Sequence, residues 1–232
     1  MTMNRTIHAI RALALPLLLL FSLSACALGR DVVDITPPTI TATDAKAFAK
    51  IVSVEDLRVF EAAPTDAGTP SLQDAKDITD KNITARALAR KRGGFGAALG
   101  DIVLPEGKTV AGLIRSAAAK ALRDKGYAVV DKDAPQYADA LPLNIEIKEF
   151  WAWFAPGAFS VNLDFQSTLK LSGDALVGAN PPPVSNHLHQ DALAATDGTW
   201  ADLIQRGLND TSDKIKDALK APPDRPQGRV GS

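Results

Sequence analysis

The chain has 232 residues with 26 basic and 27 acidic side chains, a formal net charge of -1 and a hydrophobic content of 46%. This near-neutral balance argues against a nucleic-acid partner, which usually requires a basic face, while the length and apolar content suit one domain with tails. The single cysteine excludes an internal disulfide and a cysteine-based metal site.

The first 25 residues have the three-part layout of a secretory signal. Arg5 and Arg11 give a basic start, and an apolar run from Ala12 to Leu23 is followed by two small residues. This run is shorter than the roughly 20 apolar residues that a membrane-spanning helix requires. Residues 1–25 are therefore predicted to be an export signal that is removed.

The end of this segment, Leu23-Ser24-Ala25-Cys26, resembles the lipobox of bacterial lipoproteins. In that motif the cysteine thiol receives diacylglycerol, the chain is cut before the cysteine, and the new amine is acylated. The resemblance implies that Cys26 is the lipid attachment residue, carrying acyl chains such as palmitate. An ordinary signal with an incidental cysteine is the alternative. By resemblance to enterobacterial lipoproteins, Ala27 in place of aspartate favours sorting to the outer membrane.

The stretch after the cysteine is predicted to separate the lipid from the domain. Residues 26–47 are polar and carry Pro37-Pro38 among threonines, which is typical of a flexible tether. An edge strand over Val32 to Ile35 is the alternative. The first β-rich run then predicts a strand from Ile51 to about Phe60, which a loop rich in proline, glycine and small polar residues follows.

The stretch from Ile83 to Gly100 does not favour a single element. It begins with a pattern that suits either a helical turn or an edge strand, and it ends in the glycine-rich residues 93–96. A phosphate or an anionic headgroup would suit its basic side chains, and a solvated loop is the alternative. These basic residues are Arg86, Arg90, Lys91 and Arg92.

Periodicity predicts most elements in the second half of the chain. Apolar residues at a spacing of three and four predict helices over Lys108 to Lys125 and over Thr199 to about Leu219. Alternating runs on either side of Pro156-Gly157 predict a β-hairpin, and a further strand is expected from Val184 to about Leu193. Residues 222–232, rich in proline and glycine, are predicted to be a disordered tail.

Three residues of the last predicted strand form a candidate metal site. His187, His189 and Asp191 share one strand face, and two imidazoles with a carboxylate can bind zinc or a similar ion. A solvated strand face produces the same pattern. The absence of a Gly-x-Ser-x-Gly motif argues against a serine hydrolase. No other convincing catalytic pattern occurs in the sequence, so no catalytic residue and no cofactor are predicted.

An aromatic cluster lies at the end of the first hairpin strand, where five aromatic residues occur between Phe150 and Phe159. Aromatic side chains suit a boundary between apolar and polar surroundings, so Trp151, Trp153 and Phe154 are a candidate partner surface. Core packing at one end of the sheet is the alternative.

Several of these segments resemble the YajG-like family of bacterial envelope lipoproteins. Besides the lipobox, the likeness lies in Asp56-Leu57-Arg58, in Arg92-Gly93-Gly94-Phe95-Gly96, in the segment from Leu122 to Tyr127, in the hairpin and in the Trp-led last helix. The resemblance implies a compact α+β domain that faces the periplasm and acts by binding. It supplies no activity that transfers to individual residues.

Together these observations predict an α+β fold, a single two-layer domain over 48–221 with a mainly antiparallel sheet of four to six strands and two long helices packed on one face. The first function hypothesis is a non-enzymatic, lipid-anchored lipoprotein of the outer membrane that faces the periplasm and binds an unknown envelope protein. The second is a carrier or sensor of a small apolar ligand such as lipid. The third is a metal-dependent hydrolase that uses His187, His189 and Asp191.

Overall fold

The computed structural model describes residues 29–39, 45, 47–92, 98–156 and 161–223. The predicted signal, Cys26, residues 93–96, Phe159 and the tail from residue 224 onward lie outside the described residues. The described strands are β1 (Gly29–Val32), β2 (Ala47–Asp56), β3 (Ala87–Arg92), β4 (Ala98–Val103), β5 (Tyr127–Val129), β6 (Leu141–Pro156), β7 (Val161–Ser172) and β8 (Val184–Ala192). The described α-helices are α1 (Lys81–Thr84), α2 (Val110–Asp124), α3 (Asp174–Val177) and α4 (Asp197–Ala218).

The sheet is built around β6, its longest strand. One edge of β6 pairs with β7 in antiparallel fashion along nearly its whole length, and β8 pairs with β7 beyond it. Two parallel strands share the other edge of β6. Its first half pairs with β2 from Leu141 to Ile147, and its second half pairs with β3 at Ala152 and Trp153. The sheet therefore divides on this side, with β5 beside β2, and with β4 and then β1 beside β3.

The predicted two-layer α+β fold is confirmed, and so is the hairpin of β6 and β7. The longest ladders are antiparallel, as predicted, whereas the shorter β1–β4, β2–β5, β2–β6 and β3–β6 pairings are parallel. The sheet has eight described strands, whereas four to six were predicted. Sequence periodicity reports which face of a strand is buried but not which strand lies beside it, so the parallel pairings were not predicted.

The two long helices pack side by side on one face of the sheet. Ser212 of α4 donates a hydrogen bond to the backbone carbonyl of Ala117 of α2 at 3.0 Å, and the apolar faces of both helices belong to one buried core with β6 and β7. Helix α2 starts at Val110 after its N-cap Thr109, two residues later than the predicted start at Lys108. Helix α4 starts earlier than predicted, because Thr196 rather than Thr199 accepts the capping hydrogen bond.

The prediction of a flexible tether over residues 26–47 is wrong for the described residues that follow Cys26. β1 pairs in parallel with β4, and the Val33 amide continues this ladder by donating to the Val103 carbonyl at 2.9 Å. Ile35 has no exposed surface and lies in the main core. Gln205 of α4 binds both the amide and the carbonyl of Thr36, at 2.9 and 3.0 Å. The domain therefore includes residues 29–36, which lie before its predicted start at residue 48.

Arg58 lies just beyond the end of β2, beside β6. β2 stops at Asp56, whereas the predicted strand continued to about Phe60. The Arg58 side chain is fully buried, and it forms two hydrogen bonds with the Asp56 carboxylate at 2.8 and 2.7 Å. The remaining guanidinium donors reach backbone carbonyls at 2.8, 2.7 and 3.1 Å, belonging to Thr84, Ala87 and Phe150. Arg58 thus satisfies carbonyls of β3 and β6 at the division of the sheet.

The segment from 57 to 86 covers part of the sheet face opposite the long helices. A second buried cluster forms there from Leu72, Ala87, Val103 and Trp151, with Phe60 packed against it. The rings of Phe60 and Trp151 meet edge to face, with centroids 5.8 Å apart. The part of this outer face formed by β7 and β8 remains exposed, since alternate residues of β8 are open to solvent.

Candidate functional site

A row of polar and aromatic side chains crosses the outer face of the sheet. Arg90 of β3 is paired in register with Trp153 of β6, Trp153 with Asp164 of β7, and Asp164 with His189 of β8. Residues directly opposite on neighbouring strands carry their side chains on the same face. We call Trp153, Asp164, His187, His189 and Asp191 the outer-face cluster.

Asp164 is the centre of this cluster. Its carboxylate lies 3.1 Å from Nε2 of His187 and 3.0 Å from Nδ1 of His189, and both contacts involve the same oxygen, Oδ1. His189 also places Nε2 at 3.4 Å from the Asp191 carboxylate. The predicted shared face of His187, His189 and Asp191 is therefore observed, with Asp164 as an additional member.

The pKa of His189 is raised above its ordinary value of 6.5. The hydrogen bond to the Asp164 carboxylate is the largest cause, and the negative charge of Asp164 adds to it, with Asp191 contributing less. A carboxylate that accepts from an imidazole stabilises the protonated ring. The cluster is therefore biased towards an imidazolium–carboxylate pair.

The geometry does not support the predicted metal site. Within the described residues, no group of three or more His, Cys, Asp or Glu side chains could hold a metal ion. The two imidazoles instead contact one carboxylate oxygen and remain about half exposed. The described residues therefore give no support to a metal ion at His187, His189 and Asp191.

The aromatic residues of β6 divide between core and surface. Phe150 and Trp151 have no exposed surface, so the alternative of core packing is correct for both. The prediction that Trp151 belongs to a partner surface is therefore wrong. Phe154 is half-buried against the core under the helices. Trp153 is also half-buried, and its ring stacks on the His187 imidazole with centroids 5.8 Å apart and planes 16° from parallel. The predicted partner surface is thus reduced to Trp153.

Two arginines of β3 lie beside Trp153 on the outer face. The Nε atoms of Arg90 and Arg92 are buried and have no hydrogen-bond partner, although Arg92 reaches the Ser71 hydroxyl through Nη2 at 3.3 Å. Burial, together with repulsion from Arg90, lowers the pKa of the Arg92 guanidinium. The Asp66 carboxylate offsets part of this repulsion, and a further anionic group nearby would offset more of it.

A surface pocket of about 450 Å³ lies where α2 begins. Its lining includes the charged residues Lys81, Arg86, Glu106 and Lys108. Lys108 is also paired with Asp34 in the segment after β1. Such a pocket does not suit the small apolar ligand of the carrier hypothesis.

Asp164→Asn is expected to lower the pKa of His189 towards 6.5, because the hydrogen bond that contributes most to the shift is weakened. An NMR pH titration of the imidazole measures this change. Asp191→Asn is the control and should lower the pKa less, since its contact is longer. An unchanged His189 pKa in Asp164→Asn would contradict the assignment.

Because the folded-state pKa of His189 is raised, its pair with Asp164 stabilises the folded state at pH below 6.5. This contribution is lost as the pH rises through the raised pKa.

Comparisons with known proteins identify no family for this chain. No family model matches, and no curated protein matches. Among solved structures, an uncharacterized protein is similar with 10% identity and a TM-score of 0.38 over 82% of this chain and 97% of that chain. Protein XCC0632 from Xanthomonas campestris, of family DUF330, is similar with 10% identity and a TM-score of 0.41 over 80% and 91%. Lipoprotein GNA1162 from Neisseria meningitidis has 13% identity and a TM-score of 0.28 over 71% and 99%.

These TM-scores are too low to establish a shared fold, so the resemblance to the YajG-like family stays a prediction. Among the described residues, no helix is both long enough and apolar enough to span a membrane.

Proposed function

We propose that this chain is a lipid-anchored lipoprotein of the bacterial outer membrane, and that its domain faces the periplasm and acts by binding an envelope protein. The anchor is supported by the lipobox Leu23-Ser24-Ala25-Cys26 after an apolar segment too short to span a bilayer. One acyl chain holds a protein only marginally, whereas the several chains expected on one modified cysteine hold it durably.

The half-exposed Trp153 is the observation that carries the binding role. It lies at the border between the covered and the exposed parts of the outer face, stacked on His187 and beside the Asp164 carboxylate. Interfaces are commonly centred on an aromatic side chain with charged and polar groups around it. The paired acid and base groups of the outer-face cluster supply charged and polar groups around the Trp153 ring.

Membrane fractionation tests the anchor. Cys26→Ser should move the protein from the membrane fraction to the soluble periplasmic fraction, because the serine cannot form the thioether to diacylglycerol. Mass spectrometry of the N-terminus separates a true anchor from retention of an uncleaved precursor. An acylated Cys26 in the wild type is expected, and an unmodified Cys26 in a cleaved, membrane-bound wild type would overturn the anchor.

Site-specific crosslinking in intact cells tests the binding surface. A photoreactive amino acid in place of Asp191, whose side chain is 72% exposed, should form a defined crosslink that Trp153→Ala abolishes. The same photoreactive group in place of the exposed Lys214 on α4 is the matched control and should not form this product. An Asp191 crosslink that is unaffected by Trp153→Ala would contradict the role of Trp153 in binding, and no defined crosslink from position 191 would contradict the binding surface itself.

A further inference from the structure

The sheet begins unusually close to the proposed lipid attachment residue. β1 starts at Gly29, which is paired with Gly100, so only Ala27 and Leu28 separate Cys26 from a residue fixed in the sheet. An extended chain spans at most about 3.5 Å per residue, so Cys26 lies within roughly 10 Å of Gly29. A tether of about twenty residues would have given a reach of a few nanometres.

This short link determines which end of the sheet is near the lipid. Gly29 is level with Gly100 and Lys91 in the ladders of β1, β4 and β3. The same end of the sheet contains the ends of β3, β6 and β8, because β3 runs parallel to β6 and Ala192 of β8 is paired with Val161 at the start of β7. We call this end, represented by Gly29, Arg92 and Leu193, the anchor end.

The opposite end of the sheet lies far from the link. There, Ala49 of β2 pairs with Leu141 at the start of β6, and the neighbouring Phe48 is 43% exposed. β6 runs from Leu141 to Pro156, and a strand rises about 3.3 Å per residue, which places the two ends roughly 50 Å apart. The short link therefore keeps the Gly29 end within roughly 10 Å of the lipid, whereas it leaves the opposite end free to lie up to roughly 50 Å further away.

The chemistry of the anchor end suits a membrane interface. Leu193, directly after β8, is fully exposed at 101% relative to an isolated residue. Arg90, Lys91 and Arg92 end β3 at the same level as the start of β1, and because Lys91 is paired with Asp31, Arg90 and Arg92 are the basic groups that remain for a headgroup. Exposed apolar side chains together with basic residues favour the interfacial region of an anionic leaflet. The lowered pKa of Arg92, caused by burial and by Arg90, would be offset by an adjacent anionic headgroup.

We propose that the anchor end of the sheet lies against the leaflet that holds the acylated Cys26, with Leu193 in the lipid interface and Arg92 near anionic headgroups. This orientation rests on the proposed lipid anchor. It places the outer-face cluster next to the membrane surface, since the row of Trp153 and Asp164 is one residue below the level of Gly29.

Fluorescence quenching on the acylated chain tests this orientation. Cys26 is the single cysteine and acylation consumes its thiol, so an introduced cysteine is the one thiol available for a nitrobenzoxadiazole label. Leu193→Cys and the control Phe48→Cys both replace exposed apolar residues. The proteins are reconstituted in vesicles of phosphatidylethanolamine and phosphatidylglycerol that contain lipids spin-labelled at the headgroup. Quenching at Leu193→Cys is expected to exceed quenching at Phe48→Cys several-fold, and Arg92→Gln should reduce it.

Three outcomes would overturn the orientation while leaving the anchor intact: equal quenching at both positions, stronger quenching at Phe48→Cys, or no quenching at either position of an acylated, vesicle-bound protein. Failure of the anchor is distinguishable, because mass spectrometry would then show an unmodified Cys26 and the protein would not float with the vesicles. Circular dichroism checks that each labelled variant is folded.

Discussion

Arg58→Met is expected to lower the free energy of unfolding by about 3–5 kcal/mol, the range found when one partner of a buried ion pair is removed. The methionine would leave the Asp56 carboxylate without its two hydrogen bonds and would leave three backbone carbonyls at the division of the sheet without the guanidinium. Arg58 also lies over the Phe60 ring at 5.3 Å, so the covering segment would lose a contact as well. Urea denaturation of the soluble chain beginning at Ala27 measures the change.

Arg206→Met is the matched control for this substitution. Arg206 lies on α4, is 46% exposed and pairs with Asp202 at 3.1 Å one helical turn away. Exposed pairs of this kind contribute less than about 1 kcal/mol. Equal effects of the two substitutions would mean that Arg58 is no more important to the fold than a surface arginine, which would contradict its role at the division of β2 and β3.

Ile35→Ala is expected to destabilise the protein by about 2–5 kcal/mol, because the isoleucine is fully buried in the main core and the substitution leaves a cavity. A large effect is expected only if the segment around Ile35 is docked in the core, since a flexible tether would tolerate the substitution. Thermal or urea unfolding measures it, and a weaker fold should also expose the helix-facing side of β4.

Val32→Ala tests the same segment at an exposed position. Val32 is 57% exposed, three residues before Ile35, so its truncation should change stability by less than about 0.5 kcal/mol. A contrast between the two substitutions is the result that separates a docked segment from a tether. If Ile35→Ala is as neutral as Val32→Ala, residues 33–36 are not part of the core.

Patterns of short range allowed much of the fold to be predicted. The alternation on both sides of Pro156 predicted the hairpin, and the apolar residues spaced three and four apart predicted α2 to within two residues at each end. The division of β6 between β2 and β3 was not predictable in this way, because it depends on Arg58 meeting carbonyls from two other segments. Likewise, the polar sequence around β1 resembles a tether until its pairing with β4 is known.

Local sequence patterns also failed to predict which residues meet in the candidate site. Alternation along β8 placed His187, His189 and Asp191 on one face, but Asp164 joins them through the register between β7 and β8, which no local pattern reports. The sequence also did not predict the difference in burial between Trp151 and Trp153. Both have the same parity on β6, and the covering segment buries the first fully and the second only in part.

The position of β2 in the sheet also has a consequence for how the chain folds as it emerges. β2 pairs with β5 and β6, whose paired residues start at 127 and 141, so it has no neighbouring strand until more than half of the chain is available. Parallel pairing across such a separation carries a large loop-closure cost and is slow. During synthesis or translocation, β2 is therefore expected to stay unpaired and accessible to chaperones until β6 has emerged and pairs with it.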